Sequence, residues 1–242
     1  MRQVKFIMLI AVAAFLLSSC NSGDKKTDQT TTDSTATKMA SDSTAKPMTP
    51  APEMLMSMQF KVSNFDKWKA SYESHDSIRM ANGLHKYIIA RGTDDPNTVL
   101  VAMKMDDVDK AKAMGSSKEM QDRMKAGGVV GTPTISYIEA TAYDTTALQQ
   151  TTRLLVRHKV KDYDAWKKVY DSDAQARMDA GLTQRMLGHA VGDNNDVSIV
   201  FAVSDEAKAK AFASSKALKD KMDAGGVVGP PTMFYYKIVQ KY

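Results

Sequence analysis

Apolar and polar residues alternate from Met54 to Val62, which puts Met56, Met58, Phe60 and Val62 on one face of a half-buried strand. Asn64 is a good cap for a helix beginning at Phe65. Phe65, Trp68, Tyr72, His75 and Arg79 then recur at spacings of three and four, so they share one stripe of a single helix that Gly83 stops. Leu84 to Arg91 reads as a second strand with His85, Tyr87, Ile89 and Arg91 on one side. Thr93-Asp94-Asp95-Pro96-Asn97 is turn chemistry, and Val99, Val101, Met103 and Met105 alternate in a third strand. Asp106 or Asp107 caps a short Ala/Lys helix, and Ser116 to Glu119 resembles a capping box for the next one. Met120 and Met124 make an amphipathic turn there. Gly127 falls where a helix end needs a positive φ. Pro133 forbids further helix and opens an extended segment, Ile135-Ser136-Tyr137-Ile138. The predicted order is β-α-β-β-α-β, the split unit of ferredoxin-like folds.

The whole pattern then repeats. Ala126-Gly127-Gly128-Val129-Val130-Gly131-Thr132-Pro133 returns as Ala224-Gly225-Gly226-Val227-Val228-Gly229-Pro230-Pro231, an offset of 98 residues that also aligns Trp68 with Trp166 and Arg79 with Arg177. In the second copy the strand is Leu154 to Val160, Asp162 is the cap, and Tyr163, Trp166, Tyr170, Asp173 and Arg177 form the stripe. Gly181 stops its helix and Asp193-Asn194-Asn195-Asp196 is its hairpin turn. Repeats over 54–144 and 153–242, joined by a polar linker over 145–152, give an α+β chain of two tandem βαββαβ units. Each unit alone leaves one sheet face uncovered, so the two are expected to pair. The Gly-Gly phrase reads either as a tight helix-to-strand connection or as a nest of N–H groups for an anion.

The first residues have a different character. Arg2 and Lys5 precede an apolar run from Phe6 to Leu17, which is too short for a stable membrane span and is followed by Leu17-Ser18-Ser19-Cys20. This layout resembles a bacterial lipoprotein signal over 1–19, which implies lipidation of Cys20, the sole cysteine, and a place in the bacterial cell envelope, periplasmic or surface-exposed. Residues 20–53 are Thr, Ser, Asp, Lys and Pro with few apolar side chains. They read as a tether with a mean reach of roughly 30 Å. Asp33-Ser34-Thr35 and Asp42-Ser43-Thr44 fit either an O-glycan acceptor pattern or plain linker. The net charge of +5 includes Arg2 and Lys5 of the leader. What remains is too mild a balance to argue for nucleic acid.

The start of the second helix (Tyr163-Asp164-x-Trp166-Lys167), the Ser-Ser-Lys triplets and the Ala-Gly-Gly-Val-Val-Gly-x-Pro phrases resemble the dimeric α/β-barrel superfamily. Within it they are loosely similar to small domains related to antibiotic-biosynthesis monooxygenases and often labelled cyclases. The resemblance spans Met54 to Tyr242. It implies two four-stranded sheets packed face to face, here as a pseudo-dimer within one chain, and it carries no catalytic signature.

Candidate chemistry gathers on the helix stripes: Trp68, Tyr72, His75 and Arg79 in the first copy, Trp166, Tyr170, Asp173 and Arg177 in the second. An arginine among aromatic walls can orient a small acidic or carbonyl-bearing ligand. Alternatively each arginine snorkels at a helix edge, and Arg177 forms an i,i+4 pair with Asp173. That pair would neutralise Arg177 and leave the first copy with the stronger site. His75, His85, His158 and His189 have no histidine counterparts at the offset, which disfavours a metal triad or a duplicated haem site. Met56 and Met58 align with Leu154 and Val156, so they read as core rather than as thioether ligands. His158 lies on the apolar face of its strand, either as a hydrogen-bonded core histidine or as a general base in one half only. No phosphate loop, dinucleotide fingerprint or nucleophile triad is present, and no cofactor or metal is expected. The reading is a membrane-tethered small-ligand-binding or accessory module. Its rivals are a cofactor-independent monooxygenase or isomerase and a purely structural envelope partner.

Overall fold

The computed structural model describes residues 52–242; the leader, Cys20 and all but the end of the tether lie outside them. Strand β1 (Glu53–Val62) turns Met56, Met58, Phe60 and Val62 toward the helices, while Leu55 and Ser57 face the other way. Asn64 accepts a hydrogen bond from the Lys67 amide at 2.9 Å and starts α1 (Phe65–Ser74). The expected single helix is in fact two, because the chain breaks at His75 before α2 (Asp76–Ala81). The second repeat breaks at the equivalent Asp173, between α5 (Tyr163–Ser172) and α6 (Ala174–Asp179). Neither break contains Gly or Pro. Ser74 Oγ donates to the Ser71 carbonyl and Ser172 Oγ to the Val169 carbonyl, local bonds that compete with the helical ladder.

The first repeat continues with β2 (Leu84–Gly92), β3 (Thr98–Met105), α3 (Val108–Ser116), α4 (Lys118–Ala126) and β4 (Val129–Tyr143). The second runs β5 (Thr152–Val160), α5, α6, β6 (Leu182–Ala190), β7 (Asp193–Val203), α7 (Glu206–Ala213), α8 (Lys216–Ala224) and β8 (Val227–Lys241). Asp107, rather than Asp106, caps α3. Ser117 caps α4 through the Met120 amide, so Ser116 is the last residue of α3 and no capping box forms. The second hairpin turns at Val191-Gly192, and Asp193 to Asp196 belong to β7. A bulge between Lys86 and Ile88 breaks the expected alternation in β2, so Ile89 packs with the helix-side core while Ile88 and Ala90 face away from it.

The Gly-Gly phrase also differs from expectation. Gly127 and Gly225 end their helices in the ordinary right-handed region, and Gly128 and Gly226 carry the positive φ, at 88° and 71°. Pro133 does not start β4, which begins four residues earlier. The β1–β4 ladder passes from Gln59↔Thr134 to Lys61↔Val130, so Pro133 sits in a bulge that needs no ladder N–H. Arg157↔Thr232 and Lys159↔Val228 repeat that bulge around Pro230-Pro231.

The sheets are more than stacked face to face. All neighbours are antiparallel in a closed barrel of order β1-β3-β2-β8-β5-β7-β6-β4. β2 pairs with β8 and β4 with β6, so the two repeats are hydrogen-bonded at both seams. The helices lie outside over two apolar cores, one per repeat. Two further clusters fill part of the barrel interior and draw on both repeats.

Candidate functional site

Each repeat holds a narrow cavity between the outer sheet face and its helices, with about 650 Å³ of empty space in the first and about 690 Å³ in the second, counted out to the open mouth. The stripe residues named from sequence line them. Trp68, Tyr72, His75 and Arg79 border the first; Trp166, Tyr170, Asp173, Arg177 and His158 border the second. Both stripes build the same stack. Trp68 lies on Tyr72 at 5.2 Å between ring centres, and the Arg79 guanidinium covers Tyr72 at 3.9 Å. Trp166 lies on Tyr170 at 4.9 Å, and Arg177 covers Tyr170 at 3.7 Å. The spacing of four within the first helix stacks the rings, and the helix break returns the arginine over the tyrosine face. Arg79 and Arg177 are buried, so neither snorkels at an edge. Burial pushes both tyrosine hydroxyls up to about 12.

The copies differ in how the charge is held. Arg79 donates to Asp76 at 3.2 Å, and Lys86 joins Asp76 to Glu73 at 3.1 and 3.0 Å. Burial works against ionisation of Glu73, but hydrogen bonds from Tyr242, Lys86 and Lys69 outweigh it and hold the carboxyl at about 2. In the second repeat Ala174 replaces Asp76 and Gln184 replaces Lys86. The expected Arg177–Asp173 pair is absent. Asp173 sits at the helix break with ψ near 16°, out of register for an i,i+4 contact, and approaches Lys221 at 3.9 Å instead. Arg177 donates to the Tyr170 carbonyl at 2.6 Å, and among the described residues it has no carboxylate partner. The neutralised arginine is therefore Arg79, the reverse of the sequence expectation. His75 holds no arginine either; its Nδ1 lies 2.6 Å from the Ser71 carbonyl.

His158 is not hydrogen-bonded in the core. Both ring nitrogens are buried without a partner, and the ring lies 5.4 Å from Trp166. Burial lowers its pKa to about 4, so the imidazole is neutral at pH 7. In the first cavity Tyr72 Oη and Arg79 Nε are likewise unpartnered, whereas Tyr170 Oη donates to Gln184 Oε1 at 2.6 Å. Sequence reasoning missed Arg123 and Lys221, which line the two mouths from the last turn of α4 and α8. Their signal was available: they too are 98 residues apart. It also missed the role of the first glycine of each pair. A Cβ on Gly225 would lie 3.2 Å from the Trp166 indole, so glycine lets the end of α8 close over the stack.

No protein-family model and no curated protein sequence matches this chain. Solved structures do share the architecture. A candidate monooxygenase of Fusobacterium nucleatum superposes with a TM-score of 0.52 at 14% identity, over 79% of this chain and 94% of its own. An anthrone oxidase-like protein gives 0.54 at 14% identity, over 78% and 92%. These shares extend across both repeats. The fold is the dimeric α/β barrel, with both ferredoxin-like halves in one chain.

Proposed function

We propose that this chain is a small-ligand-binding protein of the bacterial envelope, tethered through a lipid on Cys20, and that its second repeat holds an acidic or carbonyl-bearing small molecule beneath α5 and α6. The observation that carries this reading is Arg177: a buried guanidinium, fixed over Tyr170, lining a mostly apolar cavity and free of any carboxylate partner among the described residues. A buried cation without a counter-ion is costly, and an anionic or carbonyl oxygen arriving there relieves that cost. Neutral His158 and Lys221 add a ring that can donate or accept and a cation at the mouth. In the first cavity Asp76 already occupies Arg79.

Mass spectrometry of small molecules that co-purify with the wild type, Arg79→Met and Arg177→Met tests the site. Arg177→Met is expected to weaken retention by about 1.5–3 kcal/mol, the size of a charge-assisted hydrogen bond, and Arg79→Met by much less. Equal retention in all three would overturn the assignment, and the absence of any co-purifying molecule would favour a structural envelope partner. The anchor has its own test. Cys20→Ser should shift the protein out of the membrane fraction, and an unlipidated wild-type peptide at Cys20 would sink that part of the proposal.

A further inference from the structure

Among the described residues, a space larger than either helix-side cavity lies elsewhere. It is the barrel lumen, about 1370 Å³ counted to its mouth. Alternation along β5 helps build it: Leu154 and Val156 face the helices, so Arg153 and Leu155 face inward and line the space, and Arg157 on the same side of the strand reaches the lining residue Ser57. Leu100 and Leu155 line an apolar wall, and Tyr236 is 2% exposed beside them. Small side chains in the lining, Ala102 and Ala140 among them, leave the middle open where larger ones would fill it. The inter-repeat linker crosses one mouth and is tied down there, because Arg185 binds Asp144 at 2.5 Å and the Thr146 carbonyl at 2.5 Å.

Arg153 in the lining and Arg157 beside it lack counter-ions among the described residues. Arg153 is 5% exposed, and its only hydrogen bonds among the described residues run from Nη1 to the Gln150 and Thr152 carbonyls, at 2.6 and 2.9 Å. Its remaining N–H groups make no such bond. Arg157 Nη2 donates to Ser57 Oγ at 3.1 Å, while its Nε is buried and unpartnered. No carboxylate among the described residues forms a salt bridge with either. Burial lowers both guanidinium pKa values. Simple filling of a barrel core does not call for two unpaired cations, since apolar residues would pack it without the desolvation cost. An apolar channel with a guanidinium fork near its mouth has the chemistry of a site for a molecule with an apolar body and one anionic end.

We infer that the lumen is a second binding site, distinct from the helix-side cavities, for a single-chain amphiphile whose carboxylate meets Arg153 and whose hydrocarbon lies along Leu100 and Leu155. The test uses the full chain carrying Cys20→Ser, so that no acyl group of its own competes. Calorimetric titration with dodecanoate and with dodecanol should show the acid binding at least about tenfold more tightly, as one charge-assisted contact predicts. Arg153→Met should erase that preference and Arg153→Lys should keep part of it. Ala102→Phe, which fills the lumen, should abolish dodecanoate binding, whereas Arg177→Met should leave it within about twofold, because no lumen contact is lost. A nitroxide-labelled fatty acid gives a readout that needs no variant to fold: it should broaden the NMR signals of Ala102 and Ala140 more than those of Trp68 and Trp166. Equal affinity for acid and alcohol, no measurable dodecanoate binding, or broadening centred on the tryptophans would overturn the inference. A loss of binding in Arg177→Met with none in Ala102→Phe would move the amphiphile to the helix-side cavity and overturn it as well.

Discussion

Position 158 holds histidine where the first repeat has Phe60, and the exchange places two unpartnered ring nitrogens in an apolar cavity. Its pKa of about 4 in the folded chain lies below the ordinary 6.5 because burial opposes the charged form. The unfolded chain therefore takes up a proton first. Stability is unaffected above pH 7, falls as pH drops through 6.5, and is lower by about 3 kcal/mol once pH passes below 4. His158→Phe should remove this dependence and raise stability at pH 7 by about 1–2 kcal/mol, since it deletes unsatisfied buried groups. Urea unfolding of both forms at pH 4.5 and 7.5 checks it, and parallel pH profiles would refute it. The same substitution should weaken a ligand that uses the imidazole. The stripes were legible at this scale because spacings of three and four survive a helix break well enough to keep Trp, Tyr and Arg together. The partners of Arg79 and Arg177 were not legible. Spacing alone favoured Asp173 for Arg177, but the backbone at 173 is not helical, and the acid that matters is Asp76.

Among the elements, the Gly-Gly junctions separate two jobs that sequence gave to one residue. Gly127 has φ −72° and Gly128 has φ 88°, with a Cβ on Gly128 only 2.9 Å from Ser63 Oγ. Gly128→Ala should cost about 1–2 kcal/mol for the left-handed backbone alone, and more for the clash. Gly226→Ala meets nothing closer than 3.6 Å, so it should cost the backbone penalty only. Gly127→Ala should be milder than Gly128→Ala, because its backbone suits any residue. Thermal melts of the three variants order these costs, and a Gly127→Ala effect larger than that of Gly128→Ala would contradict the assignment. Strand and helix identities followed from periodicity, whereas bulges did not. The skips at Gln59/Lys61 and Lys86/Ile88 depend on which strand lies alongside, and that partner is remote in sequence. This is also why the lumen stayed hidden: Arg153 and Arg157 lie on the side of β5 away from Leu154 and Val156, and what that side faces is set by barrel closure through strands remote in sequence.

For the whole molecule, closure ties the two repeats together more tightly than face-to-face packing would. The β2–β8 and β4–β6 seams carry backbone hydrogen bonds between copies. The interior clusters mix Ile88, Ala90, Leu100 and Ala102 with Leu155 and Tyr236, and Leu55, Ile138 and Ala140 with Met186. A repeat on its own would expose that apolar face and leave two strand edges unpaired, a combination that invites association. Each repeat also carries both seam strands, one of each kind, so a copy can offer its second strand to the fourth strand of any partner with the same order. Chains cut at Thr146 and expressed separately are therefore expected to aggregate or form homodimers. Co-expressed, they should re-pair one to one, because only the mixed pair recovers the Arg157–Ser57 contact. Analytical ultracentrifugation of each half and of the mixture decides it. Stable, soluble monomers of either half at high concentration would mean that the seams contribute little and that the barrel is two domains merely joined. Re-pairing without the Asp144–Arg185 tie at the linker would show that closure is set by the strands rather than by the connection between them.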